Sequence, residues 1–108
     1  MEKIENWIKI AAGINEISFA ENKIATIKIA DKTICIAKIN EDLKAFSSQC
    51  PHAGGNLSGG FMDKKGNIIC PVHGYRFSMN TGRDSGCEGY FLKIYKIEQR
   101  DEGIFIRL

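Results

Sequence analysis

Leucine, proline and histidine are all scarce in this chain of 108 residues: 4 Leu stand against 17 Ile, the prolines are Pro51 and Pro71, and the histidines are His52 and His73. So many β-branched residues beside so few leucines suit a pleated sheet, on which branched side chains pack well. An excess of one charge sign is also missing. Lys+Arg 15 against Asp+Glu 13 leave +2, too balanced to suggest nucleic acid or an anionic membrane as the main partner. No apolar run nears the roughly 18 residues of a membrane span. The opening stretch, MEKIENWIKIAAGINEISF, breaks its apolar positions with Glu2, Lys3, Glu5, Asn6 and Lys9, so neither an anchor nor a signal peptide is expected. There are no repeats, low-complexity tracts or linkers, no Ser-His-Asp arrangement and no P-loop, and the glycine-rich stretch 54–60 lacks the spacing of a nucleotide motif. What remains is an ordinary globular composition, 44% hydrophobic and 26% charged, long enough for one core. A single domain spanning 1–108 is expected.

Period-two alternation recurs along the chain. Residues 24–29 set Thr26 and Lys28 opposite Ile27 and Ile29, and 33–39 follow after a turn at Ala30-Asp31-Lys32, the pattern of a hairpin. Asn40-Glu41-Asp42 then turns the chain into 43–48. Residues 67–70, 75–78, 91–97 and 104–108 read as further strands, with turns at 64–66, 80–82 and 100–103. Residues 7–10 read as an edge strand, and 11–17 have room for one helical turn. Short strands between Gly, Asn and Asp turns predict an all-β fold, an antiparallel sandwich or barrel. The stretch 50–60 departs from this pattern. Four glycines within 54–60 make a poor strand and predict a shaped loop.

Each histidine lies close to a cysteine that is followed directly by proline. Cys50-Pro51-His52 has the form C-x-H and Cys70-Pro71-Val72-His73 the form C-x-x-H, with 17 residues between His52 and Cys70. Two Cys and two His from two loops complete a four-ligand set for a soft or borderline metal. Each proline fixes φ and removes a backbone donor, while Gly54-Gly55 and Gly74 let backbone pass close to whatever is bound. A structural zinc site is one reading, although zinc sites usually pair like ligands, C-x(2–4)-C with H-x(3–5)-H. Two buried cysteines beside two incidental histidines is the plainest reading. The mixed pairing suits a dinuclear cluster in which one iron takes both cysteines and the other both histidines.

The spacing C-x-H-x(17)-C-x-x-H, with its flanks Cys50-Pro51-His52-Ala53-Gly54-Gly55-Asn56-Leu57-Ser58-Gly59-Gly60 and Cys70-Pro71-Val72-His73-Gly74-Tyr75-Arg76-Phe77, resembles the Rieske [2Fe–2S] family. The turn at 80–82 and the closing strand pair are similar to the rest of a Rieske ferredoxin. The resemblance implies an all-β, Rieske-like antiparallel β-sandwich or barrel. It also implies a small cluster-binding subdomain, about 47–80, formed by two loops. One [2Fe–2S] cluster per chain would be held by Cys50, His52, Cys70 and His73. The function implied is that of a soluble, cytoplasmic one-electron carrier, not itself an enzyme. Such a carrier passes electrons from a flavin-containing ferredoxin reductase to a terminal oxygenase or similar acceptor. Its transient docking surface would be the loop tips around Ala53, Gly54, Leu57, Gly74 and Tyr75. The alternative is the small subunit of a nitrite-reductase-type assembly, and a structural zinc module is a further one. With both histidines spent on the cluster, the chain has none left for the 2-His-1-carboxylate triad of a non-haem oxygenase.

Respiratory members of the family add a disulfide between the two cluster loops, and the matching positions here are Gly55 and Val72. The resemblance therefore points to the ferredoxin branch, whose thiols suit the cytoplasm. High-potential members place a serine hydroxyl two residues after the second histidine and a tyrosine hydroxyl four after it, where this chain has Tyr75 and Phe77. Hydrogen bonds to sulfur stabilise the reduced cluster, so the resemblance implies the lower end of a range of roughly −150 to +300 mV. Cys35, inside an alternating strand, and Cys87, within 84–89, have no histidine nearby and read as small core residues. Lys64-Lys65 and Asp101-Glu102 read as solvated turns. Tyr75-Arg76 fits a partner contact and a strand equally well.

Overall fold

The computed structural model describes residues 7–52, 54–72, 74–86 and 88–108. Nine strands are formed among them: β1 (Trp7–Ala11), β2 (Ile24–Ile29), β3 (Lys32–Ile39), β4 (Asp42–Ser47), β5 (Phe61–Met62), β6 (Asn67–Ile69), β7 (Arg76–Ser78), β8 (Ile94–Arg100) and β9 (Gly103–Arg107). All pairings between them are antiparallel, as the alternating runs and tight turns predict. Six strands make one sheet in the order β1-β9-β8-β4-β3-β2, and β5-β6-β7 make a smaller one. The edge strands β1 and β2 line a common cleft through Ile8, Ile10, Ile27 and Ile29. The large sheet is therefore curled into a partly open barrel, the expected fold class.

Hairpin chemistry sets the register. Ile29 pairs with Lys32, Ile39 with Asp42 and Arg100 with Gly103, so each turn holds two residues. Ala30 and Asn40 open their turns at φ 56°. Asn tolerates that left-handed conformation, whereas Ala pays for its Cβ there.

The whole segment 48–93 is inserted between two strands that are themselves paired, since Phe46 of β4 faces Ile94 of β8 and the Ser47 N–H donates to the Lys93 carbonyl at 2.9 Å. This insertion carries β5–β7 and every expected ligand. It also gives the large sheet two covered faces. Ile34 and Ile36 of β3 point into the barrel with Leu43, Ala45, Tyr95, Ile104 and Ile106. Cys35 and Ala37 point the other way, with Phe46, Leu57, Ile68, Phe77 and Met79 under the insertion. The centre of β3 is thus buried on both sides, which its unbroken run of small and apolar residues permits.

Strand ends shift from the sequence reading by a residue at most of the strands and by three at β8, and β5 was not expected. Strand β8 starts at Ile94, because Phe91 bridges Arg83 instead. Strand β7 starts at Arg76, because the Tyr75 carbonyl accepts from Cys70. The helical turn expected in 11–17 is a 3-10 turn at Ile14–Glu16.

Candidate metal centre

The two Cys-Pro segments fold into the same loop. The Cys50 N–H donates to the Gly55 carbonyl (2.8 Å) and the Gly54 N–H to the Cys50 carbonyl (2.8 Å). The Cys70 N–H donates to the Tyr75 carbonyl (2.8 Å) and the Gly74 N–H to the Cys70 carbonyl (2.9 Å). Gly54 at φ 72° and Gly74 at φ 74° occupy the left-handed position that closes each turn, where a Cβ would be strained. Proline after each cysteine suits the start of such a turn, with φ already set and no N–H to satisfy. The C-P-x-x-G pattern thus holds each cysteine through its own backbone.

The loops meet each other closely. A Cβ on Gly55 would lie 2.5 Å from Cγ2 of Val72 and 3.2 Å from Sγ of Cys70, so glycine is what lets the first loop pass the second sulfur. Cys50 and Cys70 are each 1% exposed and belong to the same group of buried side chains, with Leu57 and Phe77. From the first loop, His52 stacks its ring on Tyr75 of the second at 3.7 Å and 13°. Its Nδ1 is buried, and the rings of Tyr75 and Tyr90 pack against the imidazole. Two buried sulfurs and a buried imidazole nitrogen have the chemistry of soft donors, suited to iron in a sulfide cluster or to zinc, although among the described residues no three His, Cys, Asp or Glu side chains gather around one point as a single metal ion would need. The fourth expected ligand, His73, lies outside the described residues, as do Ala53 and Cys87.

A third segment joins the two loops, and the sequence reading did not anticipate it. Tyr90 packs edge-on against both His52 (5.2 Å, 82°) and Tyr75 (5.7 Å, 78°). The Tyr75 hydroxyl donates to Glu88 Oε1 at 2.9 Å. That bond to a carboxylate is the main reason the Tyr75 phenol is raised above its ordinary value. Asp84, a carboxylate only 2% exposed, fixes the segment: Oδ1 accepts from the Glu88 N–H (3.1 Å) and Oδ2 from the Tyr90 N–H (2.8 Å). Asp84-Ser85-Gly86 has turn chemistry, but no spacing rule connects Tyr90 with His52.

Other supports were equally hidden. The Asn22 side-chain amide donates to the carbonyls of Ser58 (2.8 Å) and Gly60 (3.0 Å), tying the glycine-rich stretch to the start of β2. Asp63 holds the β5–β6 turn through the N–H groups of Lys65 (2.9 Å) and Asn67 (3.0 Å). Partial desolvation alone would raise its carboxyl, but these bonds and nearby Arg76 outweigh it and hold the group below its ordinary value.

Leu57 does not belong to the exposed tips. Asn56 caps a short 3-10 turn, Leu57–Gly59, which rotates Leu57 into the core at 0% exposure. Val72 at 52% and Phe91 at 59% are the exposed apolar groups near the loops instead, and Phe91 shares a cleft with Cys50, Pro51 and Gly54. Cys35 is fully buried, and burial pushes its thiol up to about 12, which suits a core residue.

The family profile of the Rieske [2Fe–2S] domain matches residues 6–89. The ferredoxin component of the naphthalene 1,2-dioxygenase/salicylate 5-hydroxylase systems of Ralstonia sp is 30% identical over 79 residues, 73% of this chain and 72% of that one. In fold, a chain from the complex of reduced oxygenase and oxidised ferredoxin in carbazole 1,9a-dioxygenase is similar at TM-score 0.76 and 21% identity, covering 96% of this chain and 94% of that one. A Mycobacterium tuberculosis chain assigned as an NADH-dependent nitrite reductase small subunit is similar at TM-score 0.78 and 15% identity, covering 97% and 96%. Among the described residues no helix is long and apolar enough to cross a membrane. On the match across residues 6–89 and the identity to a ferredoxin component, the chain belongs to the Rieske [2Fe–2S] domain family.

Proposed function

We propose that this chain is a one-electron carrier whose [2Fe–2S] cluster, one per chain, is held by Cys50 and Cys70 on one iron and by His52 and His73 on the other. The observation that supports the assignment is the pair of matching loops, each carrying one buried cysteine, with the first loop's backbone at Gly55 packed against the sulfur of Cys70. When bound, such a cluster takes up one electron and gives it back at a potential set by its ligands and surroundings. The chain's residues do the rest. Phe77, Leu57 and Ile68 keep water from the sulfurs, and a low dielectric disfavours the more negative reduced state. The Tyr75 hydroxyl is committed to Glu88 and Phe77 has no hydroxyl, which supports a potential in the lower part of the Rieske range.

The partners follow from the relatives' roles. A ferredoxin component passes electrons toward an oxygenase, so we assign this chain a flavin-containing reductase as donor and a terminal oxygenase or similar acceptor as recipient. Both would dock transiently at Pro51, Gly54, Val72 and Gly74, with Phe91 beside them. Small, mostly apolar contacts suit brief redox encounters. Cys35 is a thiol and not part of a disulfide, which fits a reducing cytoplasm. The nitrite-reductase-type reading has fold likeness alone in its favour, whereas the carrier reading also has sequence identity to a ferredoxin component.

The test is the metal content and reduced-state EPR spectrum of protein purified without added metal. Two irons per chain and an average g below the free-electron value are expected. A colourless protein holding one zinc would overturn the proposal. Cys50→Ser and His73→Ala should each abolish the signal.

A further inference from the structure

We propose that Tyr75 is a positioning residue for the ligand His52, locked by Glu88 and Tyr90 so that the imidazole plane is set before any metal binds. The inference rests on His52 being a ligand. An imidazole rotates about two side-chain bonds, and a ligand nitrogen is useful only in one orientation, so fixing the ring removes an entropic cost from ligation. Tyr75 lies nearly parallel to His52, 3.7 Å away and inclined by 13°. That contact holds the ring plane only if Tyr75 is itself held. Three groups do this: Glu88 accepts its hydroxyl proton at 2.9 Å, Tyr90 meets its ring edge-on at 5.7 Å, and Phe77 lies behind at 6.4 Å.

The lock is built from a different part of the chain than the ring it holds. Glu88 and Tyr90 are both placed by the single buried carboxylate of Asp84. Because Tyr90 also touches His52, the imidazole has one aromatic neighbour on its face and another across its edge. The same rings keep water from the ligating side, which slows exchange of the ligand for solvent.

The arrangement separates the roles of Glu88. If it acts as the acceptor for the phenol, Gln can replace it, because a side-chain carbonyl oxygen accepts equally. If only its negative charge matters, Gln and Ala fail alike.

The experiment compares Tyr75→Ala, Tyr75→Phe, Glu88→Gln and Glu88→Ala with the parent, as purified holoproteins. Two readouts are taken: the linewidth of the reduced EPR signal, which reports spread in ligand orientation, and the rate of iron loss to a ferrous chelator. Expected are a broadened signal and iron loss about tenfold faster in Tyr75→Ala, the scale of second-layer ligand effects. Tyr75→Phe and Glu88→Ala should fall between that variant and the parent, and Glu88→Gln should match the parent. If Tyr75→Ala does not fold, Tyr75→Leu keeps the apolar volume without the planar face and makes the same comparison. Parent-like linewidth and iron loss in these Tyr75 variants, or equal impairment by Glu88→Gln and Glu88→Ala, would overturn the inference. A parent spectrum without histidine-ligated iron would instead overturn the ligand assignment beneath it.

Discussion

Gly55 and Val72 face each other across the junction of the two Cys-Pro loops, with the Cβ position of Gly55 3.4 Å from Cβ of Val72. Any side chain at 55 must displace the Val72 methyl at 2.5 Å or the Cys70 sulfur at 3.2 Å. Gly55→Ala is therefore expected to lower stability by about 1–3 kcal/mol, the usual cost of overpacking, measured by urea denaturation of the holoprotein. Removing the methyls reverses the sign. The separation of the two Cβ positions is close to disulfide geometry, so Gly55→Cys with Val72→Cys should form a bridge, seen as a mass lower by about two hydrogens. Closing a loop of this size adds about 3 kcal/mol. A double variant that stays reduced in air, with its cluster intact, would mean that the loops are not held this close.

Phe77 occupies the position where high-potential relatives are expected to carry a hydroxyl, and it is fully buried beside both cysteines. Phe77→Tyr offers a donor to sulfur with little change in shape, and such a bond stabilises the reduced form. The reduction potential should rise by tens of millivolts, read by redox titration. The parent itself should titrate below about +100 mV, within the lower part of the Rieske range. An unchanged potential in Phe77→Tyr would place the new hydroxyl away from sulfur.

How far the fold could be read from the sequence follows from which signals are local. Strand β2 was legible residue for residue, because Thr26 and Lys28 are exposed and Ile27 and Ile29 pack inward. Strand β3 looked like one more half-buried strand, yet both its faces are covered, since Cys35 and Ala37 meet an insertion that no local pattern announces. The ligand loops were legible because C-P-x-x-G is a turn with its chemistry written in adjacent residues. Leu57 was misjudged as a tip because its glycine-rich surroundings suggest exposure, while the Asn56 cap that turns it inward acts through geometry. Glu88, Tyr90 and Asp84 stayed hidden because they reach His52 only through tertiary packing.

Cys35 gives the fold a measurable pH response. Burial raises its thiol from 9.0 to about 12, so between those values the unfolded chain releases a proton that the folded chain keeps. Stability is unaffected below about 9 and falls as pH rises toward 12, at up to about 1.4 kcal/mol per pH unit for this one group. Cys35→Ala should flatten that part of the curve relative to the parent, measured by urea denaturation between pH 8.5 and 10.5, roughly where the two protonation states diverge. In the native protein a thiol reagent at neutral pH should leave Cys35 unmodified, with labelling only after unfolding. Rapid native labelling at this position would contradict its burial.

Ala30 is the least comfortable residue in the hairpin set, standing at φ 56° as the first of two turn residues between Ile29 and Lys32. An L-residue in that region costs roughly 1–2 kcal/mol, and glycine removes most of the cost while adding freedom to the unfolded chain. The net effect of Ala30→Gly is expected to be a gain of about 0.5 kcal/mol, seen as a higher melting temperature. Asn40 has the same φ of 56° in the neighbouring hairpin, but its amide tolerates the conformation, so Asn40→Gly should change the melting temperature little. The two substitutions together separate backbone strain from a general effect of glycine in turns: equal responses would show that Ala30 is not strained.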